Sequence, residues 1–174
     1  VRLDVDICRE RLGAARHAYL ATTGADGVPH LVPVTFALVG TPTDRALVGT
    51  PTDRPDGAAP GDEAPGDEIV VVVDHKPKTT RELRRLRNVA ENPRAAVLAD
   101  RYDDDWSRLW WVRADGTASV EHTGVAWERA VDALAARYPQ YRERRPDGPV
   151  LRVRVSRWSG WAHDPLFETE PASF

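Results

Sequence analysis

The run Glu68-Ile69-Val70-Val71-Val72-Val73-Asp74 constrains this chain more than any other stretch. Five consecutive β-branched residues disfavour a helix and leave no polar side for solvent. The run therefore predicts a strand buried on both faces, so cover is needed above and below it. The 174 residues, 41% hydrophobic and 29% charged, suffice for one such core and argue for a single domain. Fibrous, collagen-like and wholly disordered chains are excluded by the same figures.

The remaining elements follow from turn and period signals. Residues 4–15 suggest a short amphipathic helix carrying the single cysteine, Cys8, as a small buried side chain. Residues 17–23 and 30–38 read as strands joined by Ala25-Asp26-Gly27, an Asp-Gly hairpin cue. After the valine run, Thr79 and Glu82 form a capping box for a helix with the stripe Leu83, Leu86, Val89 and Ala90, ended by Asn92-Pro93. Strands follow at 95–100, 109–113 and 117–121, the last two joined by a second expected hairpin at Ala114-Asp115-Gly116. A third helix over 124–138 stops at Pro139, and Leu151, Val153 and Val155 alternate with polar residues as a half-buried strand. About seven strands, mostly hairpin-linked, with three helices inserted, predict a mainly β (α+β) antiparallel barrel rather than a βαβ sheet.

Between these signals lies a tandem duplication. ALVGTPTDR occurs at 37–45 and again at 46–54, and APGDE at 59–63 and 64–68. Units this short, rich in Pro, Gly and Asp, cannot be packing repeats, so residues of about 40–68 read as an expanded, flexible low-complexity loop.

Composition removes several function classes. No apolar run approaches a membrane span and no secretory layout opens the sequence, so a soluble cytoplasmic protein without a membrane partner is expected. One cysteine fits a reducing compartment. A net charge of −3 gives no global field for nucleic acid, although a basic-aromatic barrel for single strands is an alternative to weigh. No P-loop, GxGxxG, HExxH, CxxC or GxSxG element is present, the five histidines lack metal-ligand spacing, and Asp103-Asp104-Asp105 reads as a solvated loop. No catalytic acid, nucleophile or metal site is therefore expected.

Two clusters stand out. Only Lys76 and Lys78 among the 24 basic residues are lysine, and both precede the second helix, whose first turns carry Arg84 and Arg85. Backbone N–H groups and the dipole at a helix start favour an anion, so the segment reads either as a phosphate site or as a solvated basic face. The arginine richness itself is what a GC-rich genome produces, which lowers its weight. Six tryptophans occur, among them adjacent Trp110 and Trp111, which on a strand must point to opposite faces. One of them then needs an interface or an aromatic ligand outside the local core.

The order of strand pair, strand into basic helix with Asn92-Pro93-Arg94, strand pair around Trp110-Trp111 and closing Trp158-Ser159-Gly160 resembles the pyridoxamine 5′-phosphate oxidase-like superfamily. More narrowly, residues 75–94 and the block from Asp100-Arg101-Tyr102 to Leu109-Trp110-Trp111-Val112-Arg113 resemble its actinobacterial coenzyme F-420-dependent oxidoreductases. The resemblance implies an antiparallel split β-barrel of the FMN-binding type, six-stranded and homodimeric, with two cofactor sites between subunits. It implies that Arg84 and Arg85 bind the cofactor phosphate, assisted by Lys76 and Lys78. By the same resemblance Pro33, Val34, Thr35 and Phe36 lie along the ring, Trp110 and Trp111 reach the site from the partner, and Trp158 matches the oxidases' Trp-x-Gly tryptophan.

The oxidases' later Arg-x-His motif is absent, since Trp161-Ala162-His163-Asp164 stands there, which speaks against pyridoxamine phosphate as substrate. The resulting expectation is hydride transfer between reduced F-420 and a small unsaturated organic substrate. The alternatives are an FMN oxidoreductase of the same fold and a cofactor-binding protein without turnover.

Overall fold

The computed structural model describes residues 1–40, 66–73 and 83–164. Seven strands form one sheet in the order β2-β1-β5-β6-β7-β4-β3. They are β1 (Ala18–Thr23), β2 (Pro29–Val34), β3 (Ala37–Val39), β4 (Glu68–Val72), β5 (Arg94–Arg101), β6 (Trp110–Glu121) and β7 (Val150–Ala162). Every neighbouring pair is antiparallel. The helices are α1 (Val5–Ala14), α2 (Arg84–Glu91), α3 (Val125–Arg137) and α4 (Pro139–Glu143). The sheet curls as a split barrel with a few helices set around it, and none of these helices is long and apolar enough to cross a membrane.

The valine run does what its composition demands. Ile69 and Val71 enter one core with Leu20, Phe36, Val97 and Leu12 of α1, whereas Val70 and Val72 enter a second, beneath Ala130, Val131 and Leu134 of α3. β4 is thus covered on both faces, with β7 and β3 as its hydrogen-bonded neighbours. Cys8 is buried in the first core, where a Cβ added at Gly160 would stand 2.7 Å from its Sγ.

The structure corrects several expectations. Ala114-Asp115-Gly116 is not a hairpin: β6 runs straight through it, pairing with β5 on one side and β7 on the other. The register shift lies there instead, with Ser156 as the extra residue of β7, its hydroxyl donating to the Asp115 carbonyl at 3.1 Å. Gly116 serves close approach, since a Cβ there would meet the Arg154 carbonyl oxygen at 2.1 Å. The expected strand over 30–38 is broken at Thr35-Phe36. The Phe36 N–H donates instead to the hydroxyl of Tyr138, at the junction of α3 and α4, at 3.1 Å, and the Thr35 and Tyr141 hydroxyls share a hydrogen bond of 2.7 Å.

Pro139 stops α3 and also starts α4, giving four α-helices among the described residues rather than three, besides a single 3-10 turn at Trp106–Arg108. Leu83 is extended, so α2 begins at Arg84 rather than at Thr79, and Ala90 is exposed. Thr79, Glu82, Lys76 and Lys78 lie outside the described residues, as does the duplicated stretch over 41–65.

Candidate cofactor site

Starting α2 at Arg84 places two adjacent guanidinium groups on its first turn, one outward and one inward. Arg84 reaches the β1–β2 hairpin, its Nη2 standing 3.6 Å from Asp26 Oδ2. Arg85 is buried at 9% exposure. The hairpin is pinned to the helix by Asn88 Nδ2 donating to Thr22 Oγ1 at 3.1 Å and by the Ala25 N–H donating to Glu91 at 2.9 Å. This leaves little room at Gly24, where a Cβ would lie 2.6 Å from Glu91 Oε2.

His30, paired across the ladder with Thr22, faces the same arginines. Its Nδ1 is buried without a hydrogen-bond partner among the described residues. Burial first, then the charges of Arg84 and Arg85, push its pKa below 6.5, so the imidazole is held neutral beside two cations. An anionic group entering here would meet charge-assisted donors and relieve that repulsion. The residues present therefore fit a phosphate. His30 is the residue that sequence reasoning passed over: nothing in its local pattern separates it from the other histidines, and only the packing of α2 on the hairpin gives it charged neighbours.

The outer face of β1, β5 and β6 carries a groove of about 680 Å³. Leu31, Tyr102, Trp111 and Trp161 border it at 64%, 83%, 36% and 37% exposure. Through Ala21 and Ala96 it continues into a second hollow of about 550 Å³ beside Pro29 and Arg94. Large apolar groups gathered on one uncovered sheet face mark a binding surface.

The tryptophan pair divides as the strand period requires: Trp111 faces this groove, while Trp110 belongs to the core with the Arg11 guanidinium 5.5 Å from its ring centroid. Trp110 is 6% exposed, so of the pair Trp111 is the residue with area to offer a partner or a ring.

The other expected site residues are dispersed. Pro33 is exposed, Val34 and Phe36 are core residues, and Thr35 is tied to Tyr141. The Phe36 ring lies 4.5 Å from the Arg137 guanidinium, so a ligand along this segment would meet its backbone and Pro33 rather than those two side chains. Trp158 packs partly against the core and donates its indole N–H to Asp67 Oδ2 at 2.8 Å, the oxygen that also accepts from Arg9 Nε at 2.6 Å. Among the described residues no group of three or more His, Cys, Asp or Glu side chains could hold a metal ion.

Residues 69–162 match the family model of pyridoxamine 5′-phosphate oxidase. No curated protein matches the chain in sequence. Solved structures share the fold at low identity. A conserved hypothetical protein of Mycobacterium tuberculosis superposes with a TM-score of 0.63 at 19% identity, covering 99% of this chain and 92% of its own. An FAD-binding protein of Mesorhizobium loti gives 0.57 at 16% identity, with 92% and 95% covered. The haem-storage protein HutZ of Vibrio cholerae gives 0.54 at 15% identity, with 90% and 89% covered. The match spans β4 to β7 and with them α2, α3 and the Trp110-Trp111 block, so the chain belongs to the pyridoxamine 5′-phosphate oxidase family.

Proposed function

We propose that the protein is a homodimeric oxidoreductase that uses the deazaflavin coenzyme F-420 to transfer a hydride to or from a small unsaturated organic substrate. The observation that carries this reading is the meeting of Arg84, Arg85 and the unpartnered buried Nδ1 of His30 at the hairpin whose Leu31 and Tyr19 border the apolar groove. A phosphate and a flat ring need those two environments side by side. A reduced deazaflavin supplies a hydride from its ring carbon C5 and reacts poorly with oxygen. The chain's share is then to bind, orient and exclude water. Arg84 and Arg85 hold the phosphate, Pro33 and the backbone beside it support the ring, and Trp111 from the second subunit closes the groove. Lys76 and Lys78, preceding α2 in sequence, are assigned to the anionic glutamyl tail.

A flavin with the same phosphate, FMN, is the second reading, favoured by the fact that the arginine pair does not distinguish the two ligands. Parallel titration of the purified protein with F-420, FMN and haem, followed by ligand fluorescence or absorbance, separates them. The expected result is tightest binding of F-420, with Arg85→Ala weakening F-420 and FMN alike by roughly tenfold to a hundredfold. Tighter binding of FMN or haem overturns the F-420 assignment, and an Arg84→Ala, Arg85→Ala double variant that binds as wild type does overturns the phosphate site.

A further inference from the structure

α3 lies across the outer face of β3 and β4, and beside its first turns it leaves a pocket of about 670 Å³. This pocket shares no residue with the Arg84, Arg85 and His30 cluster. Its base is apolar, with Val39, Ala126 and Val155 half-buried and Val70 and Ala130 buried. Its walls carry three arginines and one carboxylate: Arg129 comes from α3, Arg152 and Arg154 come from β7, two residues apart and therefore on one face of the strand, and Glu68 of β4 is held by Arg152, which leaves the wall net positive. A polar notch of about 150 Å³ opens beside it, between Arg152, Arg154, Glu68, Thr117 and Ser119.

The three arginines have different duties. Arg152 donates from Nη1 to Glu121 at 2.9 Å and from Nη2 to Glu68 at 2.6 Å, and its side chain is 21% exposed. Its position is thereby fixed and its charge largely answered. Arg129 and Arg154 are exposed and stand on different elements across the pocket. A guanidinium carries several N–H donors in a planar fork, so one that holds a protein neighbour keeps donors for a ligand.

An inorganic anion would leave the half-buried Val39, Ala126 and Val155 facing water, and a neutral apolar molecule would strip water from the guanidinium groups without replacing it. An apolar body ending in a carboxylate satisfies both, and the volume lies in the usual range for a small ligand. The geometry points to a second ligand site, between α3 and β7, for a small organic carboxylate. Through Thr117 and Ser156, which also border the hollow beside Pro29, this site opens toward the outer groove.

Fluorine NMR on the full chain tests it, with 4-(trifluoromethyl)benzoate as probe and 4-(trifluoromethyl)benzamide as its uncharged counterpart. The benzoate is expected to bind about tenfold or more tightly than the amide. Arg129→Gln and Arg154→Gln are each expected to remove most of that preference while leaving the amide's affinity unchanged, and Arg84→Gln to leave both probes unaffected. Equal binding of the two probes to wild type overturns the proposal without recourse to any variant. Benzoate binding that survives Arg129→Gln and Arg154→Gln, or that is lost in Arg84→Gln, overturns it as well, as does competition by inorganic sulfate at the benzoate's own concentration.

Discussion

At the scale of single residues, the buried polar groups carry the sharpest expectations. His30 is neutral in the folded chain because burial and two arginines disfavour its charge, whereas in the unfolded chain it titrates near 6.5. Below that pH the unfolded state binds the proton that the folded state refuses, so His30 removes stability as pH falls from about 6.5 toward its depressed folded value. Thermal midpoints measured from pH 8 to 5 are expected to fall less steeply in His30→Gln than in wild type; equal slopes would show that His30 is not held neutral. Asp67 is the second case. Its side chain is 5% exposed and joins Arg9 of α1 to Trp158 of β7 through one oxygen. Asp67→Ala strands the indole N–H and is expected to cost about 1–3 kcal/mol in urea unfolding, with Asp67→Asn costing less because an acceptor remains.

The elements differ in what fixes them. β6 and β7 run for 12 and 13 residues and pair along almost their whole length, so the bulge at Gly116 and Ser156 decides where the sheet bends. Gly116→Ala puts a Cβ against the Arg154 backbone, which has no flexible end to yield, and about 3 kcal/mol or more should be lost, seen as a lower urea midpoint. Gly27→Ala is the contrast: φ is +69° in an open turn with nothing within 4 Å, so a loss of only about 1–2 kcal/mol is expected. α2 is anchored differently again, through Asn88 and Glu91 to the hairpin as well as through Val89 and Leu86 packed on the first core. A helix whose buried residues are Arg85, Asn88 and Val89 is held by polar satisfaction as much as by area.

At the scale of the whole molecule, one half of the sheet's outer face lies under α3 and α4 and the other half lies bare. The bare half gathers Leu31, Tyr102, Trp111 and Trp161 on one uncovered face. In the proposed homodimer this face meets its symmetry mate, and a charge placed there would be desolvated on both sides of the two-fold. Light scattering at micromolar concentration is expected to show a dimer for wild type and a monomer for Leu31→Asp combined with Trp111→Glu. A wild-type monomer would remove the second subunit from the proposed site.

Some of this was legible in the sequence because it depends only on neighbours along the chain. The run from Ile69 to Val73 demanded cover on both faces, the turn at Asp26-Gly27 made its hairpin, and adjacency alone sent Trp110 and Trp111 to opposite sides of the sheet. The mainly antiparallel class followed from such signals taken together. What the sequence left open depends on residues far apart in it. Asp115-Gly116 carries a turn signal identical to that of Asp26-Gly27, and it became a bulge because β5 and β7 hydrogen-bond β6 from either side, a constraint that local propensity does not contain. His30 gained its charged environment in the same way, from a helix 54 positions later that brings Arg84 and Arg85 onto the hairpin. Spacing and side-chain type set which groups were available, and long-range packing chose which of them meet, since burial and charge act through space rather than along the chain.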